Sequence, residues 1–404
     1  MTRQALALEP RDGFFCKDGR GWTTTAAGRA RSLSWPHTTT VRGALRTAWG
    51  LAVEKARGRP LARDEWPDAT AGLGLELVLP LRRHGTGAWQ ASSRLWPCPA
   101  DAVGFRDDAH PVALRPRPAA PCTLGSVDEP ALEGLWRATL ERRDKPRPLA
   151  PWWPESAFVP WLCGEPAELP AASELTPKGR TDVHVAIDPA TQTARDEMLF
   201  STEVVEPWVK GPGGAWEWAL GTVFRLAAGE TPFPEGPLTL GGDRRLVWTS
   251  AVEGDLRSFP EQLATRAREK PRGLRLVVVT PACFDAGWLL PGFEVVQGCY
   301  RGHLPGLEAE LVLRAAMVRR PLHVSGWNMA GGKGPGGEPR PTRRLVPPGA
   351  VYFIEKLGGA EFDVEELRRL WLVPLGLHAE DGLGRIVPGL WRPEDGRTDP
   401  LKGS

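Results

Sequence analysis

One histidine stands where it could transfer protons. His37 follows Trp35-Pro36 and precedes a threonine run, with Arg42 close behind it in the chain. A histidine beside an arginine could act as general base on an RNA 2′-hydroxyl without a metal ion. The alternative is a histidine at a helix cap that bonds backbone or water. Because no second acid or base lies within reach in the sequence, we favour the cap.

Two arginines, Arg42 and Arg46, are spaced one helical turn apart on one face of a predicted helix. They lie near its N-terminus, where the helix dipole disfavours cations. An anion such as phosphate would explain this placement. The alternative is that arginine is simply abundant, since 42 of the 51 basic residues are arginine.

A basic loop over residues 327–349 combines charge with an aromatic side chain. Trp327 offers a face on which a base or ribose could stack. The basic residues predicted to contact phosphate in this loop are Lys333, Arg340, Arg343 and Arg344.

A glycine pattern, GLGRIVPGLW, occupies residues 382–391. Gly382 and Gly384 would let a backbone approach a ligand closely, and Arg385 between them and Gly389 could meet a phosphate. Taken alone, the pattern has little specificity.

Motifs for metals, cofactors and familiar enzymes are missing from the sequence. The six cysteines lie at least 16 residues apart and form no CxxC pair. GGKGPGG at 331–337 lacks P-loop spacing, GGDRR at 241–245 has one carboxylate, and GxSxG and HExxH do not occur. We therefore expect a protein without metal or cofactor that is not an enzyme.

Composition indicates a folded, loop-rich chain of two or three domains. The 404 residues have a formal net charge of +2 and are 41% hydrophobic, with 46 glycines and 41 prolines. A charge so close to zero excludes a protein that coats nucleic acid along its whole surface. No signal peptide and no apolar run of membrane-spanning length occurs, so we expect a cytoplasmic protein with no membrane contact.

Hydrophobic patterning predicts an α+β chain of two domains, residues 1–206 and 207–404. A Pro/Trp-rich stretch at 97–180 is interpreted as an insertion packed against the first domain. Helices are predicted at 40–57 and 363–371. Strands are predicted at 3–9, 73–79, 183–187, 198–205, 216–226, 274–280 and 351–357.

Taken in order, several segments resemble one known family over almost the whole chain. That family is the third subunit of the Cmr complex, the type III-B CRISPR effector, in the RAMP superfamily. The segments are LEPRDGFFCKDGR (8–20), WPHTTTVRGALRTAWG (35–50), WPCPADAVGF (96–105), HVAIDPATQTARDEMLFSTE (184–203), LVVVTPACFDAGWLLPG (276–292), VSGWNMAGGK (324–333), PRPTRRLVPPGAVYFIE (339–355) and GLGRIVPGLW (382–391).

The resemblance implies two ferredoxin-like domains, the second carrying the glycine-rich loop, which here is one residue shorter than the superfamily pattern. It implies a non-catalytic subunit that holds the 5′ handle of the CRISPR RNA and meets target RNA only indirectly. The implied protein partners are the large polymerase-like subunit and the backbone RAMP subunits. Arg42, Arg46 and the basic loop become the preferred RNA contacts.

Two other hypotheses stay open. The chain could be a metal-independent endoribonuclease that processes CRISPR precursor RNA through His37. It could also be a scaffold that contacts protein only.

Overall fold

A computed structural model describes residues 2–17, 29–118, 134–140, 142, 144–211, 214–227, 231–328 and 337–393. Within these ranges the chain is a mixed α/β protein, rich in strands, with five α-helices. None of those helices is long and apolar enough to cross a membrane.

The elements of the first part run from β1 to β16. They are β1 (Thr2–Pro10), β2 (Arg29–Ala30), α1 (Thr38–Arg57), α2 (Glu65–Ala69), β3 (Gly74–His84), β4 (Trp89–Gln90), β5 (Leu95–Pro97), β6 (Ala102–Val103), β7 (Val112–Ala113), β8 (Arg115–Arg117), β9 (Arg137–Thr139), β10 (Trp152–Pro154), α3 (Glu155–Leu162), β11 (Gly179–Ile187), β12 (Ala194–Val205), β13 (Trp208–Gly211), β14 (Gly214–Leu226), β15 (Pro237–Leu240) and β16 (Arg245–Glu253).

The elements of the second part run from α4 to β26. They are α4 (Glu261–Ala267), β17 (Gly273–Val278), β18 (Phe293–Val296), β19 (Cys299–Gly302), β20 (Leu311–Met317), β21 (Leu322–Val324), β22 (Trp327–Asn328), β23 (Glu338–Pro339), β24 (Arg343–Leu345), β25 (Val351–Lys356), α5 (Val364–Leu370) and β26 (Ile386–Trp391). All the predicted strands and both predicted helices are present.

Two antiparallel sheets share one strand order. The four long strands of the first sheet lie in the order β3-β14-β1-β16, and the second sheet contains β20-β25-β17-β26. Numbered along the chain within each sheet, both read 2-3-1-4, the order of a βαββαβ unit. In the described residues each sheet has one of the two expected helices, α1 in the first and α5 in the second. Ferredoxin-like domains therefore stay a prediction.

The first sheet continues past the predicted boundary between residues 206 and 207. Strands β13 to β16, which come after that boundary, pair with β1 or with one another. The second sheet begins only with β17. By hydrogen bonding, residues 208–253 thus belong with the N-terminal part.

The Pro/Trp-rich insertion packs between the two sheets, and not against the first alone. Trp96 stacks on Phe158 of α3, with ring centroids 5.1 Å apart, and meets the edge of Trp371 at 5.5 Å. One hydrophobic core includes these rings, Leu79 of the first sheet and Leu276 of the second. The insertion therefore joins the two sheets.

Helix α1 covers the other face of the first sheet. Its apolar stripe, which includes Val41, Leu45 and Trp49, is buried in a second core with Leu8 and Phe224 of the sheet. Gly58 ends the helix in the left-handed conformation at φ 65°. The opposite side of α1 is left to form the site described below.

Alanine substitutions at two glycines of α1 should change the free energy of unfolding in opposite directions. A Cβ at Gly50 would overlap the ring of Trp66, whereas a Cβ at Gly43 would meet no described atom within 4 Å. We expect Gly50→Ala to lower the free energy of unfolding by about 1 kcal/mol or more, because overpacking outweighs helix propensity. Gly43→Ala should raise it by up to about 1 kcal/mol. Urea denaturation of both variants tests this, and equal stabilisation by both would contradict it.

Candidate functional site

A cleft of about 880 Å³ opens beside α1. Helix α1 forms one wall, α2 and the residues before it form a second, and residues within 324–328 and 340–345 form a third. Asp381 and Leu383 line one end. Three distant parts of the chain therefore meet at one surface.

Four arginines predicted as RNA contacts line this cleft together. Arg42 and Arg46 belong to α1, while Arg340 and Arg343 belong to the third wall. They are brought together although almost 300 residues separate the two pairs. The structure thus combines two of the basic regions that sequence patterning had singled out separately.

The arginines of α1 are held by short hydrogen bonds. Arg42 forms an ion pair with Asp381 at 2.5 Å and donates to the carbonyl of Leu73. Arg46 donates to Thr70 Oγ1 at 2.9 and 2.6 Å. Burial lowers the pKa of Arg46, and the nearby Arg42 and Arg340 lower it further. Like charges are thus crowded here, and an anion in the cleft would relieve their repulsion.

Two adjacent arginines of β24 differ in position. Arg343 lines the cleft and is half-buried, while its neighbour Arg344 is exposed and does not line it. The cause is the alternation of side chains along a strand. Arg344 is therefore poorly placed for the contact predicted for it, and Arg343 is well placed.

The other basic-loop residues are only partly described. The backbone of Trp327 pairs with that of Pro339 in the β22–β23 ladder, and the role of the Trp327 side chain stays a prediction. Lys333 lies outside the described residues. Arg340 is held by its backbone N–H, which donates to the carbonyl of Gly326 at 2.8 Å.

The glycine pattern shapes the backbone. Gly382 and Gly384 have φ values of 75° and 74°, and a Cβ at Gly384 would overlap the carbonyl of Leu375. Both positions thus require glycine for a turn and a close backbone approach. They do not line the cleft, although their neighbours Asp381 and Leu383 do.

Arg385, which was predicted to meet a phosphate, is poorly placed for that contact in this structure. Its side chain is buried, and its guanidinium donates to the carbonyls of Leu372 and Ala379. Burial lowers its pKa to about 10, with help from the charge of Arg257. Arg385 therefore supports the turn from inside.

His37 caps α1, as the favoured interpretation expected. Its ring is 6% exposed, and Nδ1 accepts from the backbone N–H of Thr39 at 3.4 Å and lies 2.8 Å from Thr39 Oγ1. Burial lowers the pKa of His37 to about 4. The charge of Asp381 raises this pKa and the charge of Arg343 lowers it, but both effects are smaller than that of burial. The ring is therefore neutral at pH 7, and its Nε2 has no hydrogen-bond partner among the described residues.

Because His37 is buried in its neutral form, we expect the protein to lose stability in acid. Its folded pKa of about 4 lies below the ordinary 6.5, so the unfolded chain binds the extra proton. The contribution of His37 to the free energy of unfolding is fully present above pH 6.5. It is lost as the pH falls towards 4, and the total loss is about 3 kcal/mol. Melting temperatures between pH 7 and 4.5 should fall more steeply in the wild type than in His37→Asn, which keeps a capping side chain. Parallel falls would contradict this.

Sequence reasoning missed Trp66, Thr70 and Asp381. Thr70 and Asp381 hold the two arginines of α1, and Trp66 forms part of a wall. Asp381 also lies with His378 and Glu380 in a group whose ligand atoms are within 4.8 Å of one another. The Arg42 guanidinium on Asp381 disfavours a further cation there. No local pattern links Asp381 to an arginine 339 positions away.

Comparison with known proteins places the chain in a family. The family model described as CRISPR-associated protein (Cas_Cmr3) matches residues 6–391. No curated protein matches. A cryo-EM structure of type III-B Cmr-beta bound to cognate target RNA and AMPPnP contains a chain similar to this one at 10% identity, over 87% of this chain and 86% of that chain, with a TM-score of 0.42. The same complex bound to cognate target RNA gives 9% identity over the same shares and 0.39. Because the family model covers nearly the whole chain and agrees with the resemblance in the sequence, the protein belongs to the CRISPR-associated Cas_Cmr3 family, the third subunit of the type III-B Cmr complex.

Proposed function

We propose that this subunit holds the 5′ handle of the CRISPR RNA in the cleft beside α1. The observation that carries the proposal is that Arg42 and Arg46 line the same cleft as Arg340 and Arg343. Single-stranded RNA needs cations at phosphate spacing and polar or aromatic surfaces for its bases. The cleft offers five arginines, several threonine side chains and the ring of Trp66.

Charge is concentrated where the proposal needs it. The side chains that line the cleft include five arginines and one aspartate, whereas the whole chain has a net charge of only +2. A local positive surface on a nearly neutral protein attracts one short stretch of polyanion without binding nucleic acid everywhere. This supports a contact with a short handle.

We propose further that the subunit is not a nuclease. His37 is the one acid-base candidate of the sequence, and a pKa of about 4 makes it a weak base at neutral pH. Its ring is also engaged in capping α1. The rival hypothesis predicts RNA cleavage in EDTA that is lost in His37→Ala.

The proposal includes the partners and the domain class that the resemblance implied. The subunit docks on the large polymerase-like subunit and on backbone RAMP subunits, and it meets target RNA indirectly. Its two sheets derive from ferredoxin-like units. The shared strand order of the two sheets supports this origin.

Binding of labelled RNA to the purified protein, alone and with its large-subunit partner, tests the function. RNA with the native 5′ handle is compared with a scrambled handle and a duplex, at low and high salt, on gels that also detect cleavage. We expect salt-sensitive binding that prefers the native handle, without cleavage. Cleavage in EDTA would favour the nuclease, and binding without preference would favour the protein-only scaffold.

A further inference from the structure

Three arginines converge on one buried carboxylate near the start of β3. Glu76 forms ion pairs with Arg3 Nε at 2.8 Å, with Arg225 Nε at 2.9 Å and with Arg257 Nη1 at 3.1 Å. The side chain of Glu76 is 6% exposed, whereas those of Arg3 and Arg225 are 54% and 45% exposed. We call these four residues the Glu76 cluster. Its carboxylate is enclosed, and its two outer cations reach solvent.

Positive charge is in excess at the Glu76 cluster. Its three arginines share one carboxylate, which leaves two positive charges unbalanced within the cluster. Asp255 offsets part of this excess through its charge on Arg3 and Arg257. The buried Arg385, which feels the charges of all three arginines, adds to it. Because like charges repel in this arrangement, an added anion would stabilise the cluster.

A second arginine network is balanced by carboxylates of the chain itself. Its two arginines, Arg180 and Arg245, form ion pairs with three carboxylates, those of Asp12, Asp182 and Glu206. The side chain of Arg180 is 42% exposed, close to the value for Arg225. Exposure of an arginine network therefore does not by itself bring an excess of positive charge.

The fold fixes the Glu76 cluster on the face of the first sheet opposite α1. Arg3 of β1 and Arg225 of β14 are direct cross-strand neighbours. Leu226 packs in the core beneath α1, so by alternation Arg225 lies on the other face. The carbonyl of Arg257 accepts from Trp371 Nε1 at 3.0 Å, which holds the loop after β16. The three arginines do not line the cleft beside α1, so a partner here can bind while RNA fills that cleft.

We propose that the Glu76 cluster docks an acidic surface of a neighbouring protein subunit, with aspartate or glutamate side chains on Arg3 and Arg225. The inference rests on the proposed docking of this subunit in the complex and deepens it by assigning a surface and its chemistry. Guanidinium groups bind carboxylates through paired hydrogen bonds, and arginine is enriched at protein interfaces. RNA fits less well, because arginines that converge on one point do not follow a phosphate backbone as a groove does.

Variants of the two outer arginines test this surface without unbalancing the core. Arg3→Ala/Arg225→Ala leaves Arg257 as the partner of the buried carboxylate, so we expect the variant to fold. The matched control, Arg106→Ala/Arg344→Ala, removes the same charge from exposed positions outside the cluster. Arg3→Lys/Arg225→Lys keeps the charge and serves if the alanine variant folds poorly.

The assay measures binding of the full chain to the purified large subunit and, separately, to the purified backbone subunit. We expect Arg3→Ala/Arg225→Ala to weaken binding to one of them at least about tenfold and to reduce its salt dependence. The control should bind like the wild type. Arg3→Lys/Arg225→Lys should recover part of the affinity, because lysine keeps the charge and loses the paired hydrogen bonds.

A zero-length crosslink tests the chemistry of the contact directly. A carbodiimide joins amines to carboxylates and does not react with guanidinium groups. In the assembled complex with Arg3→Lys/Arg225→Lys, we expect it to join the new amine at position 3 or 225 to an aspartate or glutamate of the docked subunit. A complex that assembles without such a crosslink would overturn the proposal.

Four other results would also overturn it. Wild-type binding of both subunits by Arg3→Ala/Arg225→Ala would remove this surface and leave the docking function standing. Equal losses in the alanine variant and the control would show that net charge alone decides docking. Weaker binding of handle RNA with unchanged binding of both subunits would assign the cluster to RNA. Failure of the wild-type chain to bind either subunit would remove the proposed docking together with this inference.

Discussion

Replacing Arg340 and Arg343 together by alanine is expected to weaken binding of the handle RNA by about 10- to 100-fold at physiological salt. Both side chains line the cleft, whereas Arg42 is already paired with Asp381. The two arginines are therefore the best placed to neutralise phosphates. Each phosphate contact on single-stranded RNA contributes about 0.7 to the slope of log affinity against log salt, so the double variant should lose about 1.4.

A matched control is available outside the cleft. Arg344→Ala/Arg106→Ala removes the same charge, and both side chains are exposed outside the lining of the cleft. We expect near wild-type affinity and an unchanged salt slope. If the control variant loses as much affinity as the cleft variant, the net charge of the subunit decides binding, and the cleft does not.

The largest expected effect on stability comes from Asp101→Ala, about 3–5 kcal/mol in the free energy of unfolding. Asp101 accepts from Arg275 Nη1 at 2.7 Å and from Trp161 Nε1 at 3.0 Å. The side chains of the ion pair are 1% and 7% exposed. Removing the carboxylate leaves the guanidinium of β17 buried without an opposite charge.

The ion pair also joins two parts of the fold, because Asp101 and Trp161 belong to the insertion and Arg275 belongs to the second sheet. Urea denaturation compares Asp101→Ala with Asp101→Leu/Arg275→Met, which removes both charges and should recover at least half of the loss. A loss below about 1 kcal/mol in Asp101→Ala, or no recovery in the double variant, would contradict the assigned role of this pair.

Local patterns predicted the secondary structure well, because alternation and helical periodicity are properties of neighbouring residues. The stripe of Val41 and Leu45 predicted α1, and the run at 274–280 predicted β17. The missing helix of the second unit was not predictable in this way. Between β17 and β20 the chain forms the β18–β19 hairpin, closed at Gly298 with φ 73°.

The site was predictable only in pieces. Arg42, Arg46, Arg340 and Arg343 were identified by charge and position, but nothing local indicates that they share a cleft. The burial of Arg385 was not predictable, because a sequence shows the charge of a side chain and not its burial. The positive φ of Gly382 and Gly384 was not predictable, because a backbone that needs positive φ and a backbone that admits a ligand both favour glycine.

Photo-crosslinking of native-handle RNA to the assembled complex, with the crosslinked peptides identified by mass spectrometry, tests the central claim most directly. The account predicts crosslinks to peptides of residues 38–70 and 324–345, reduced in Arg340→Ala/Arg343→Ala. A different surface offers similar chemistry, where His184 stacks on Phe200 at 5.0 Å beside Arg11 and Arg244. Crosslinks confined to that surface, or to peptides that do not line the cleft beside α1, would contradict the account.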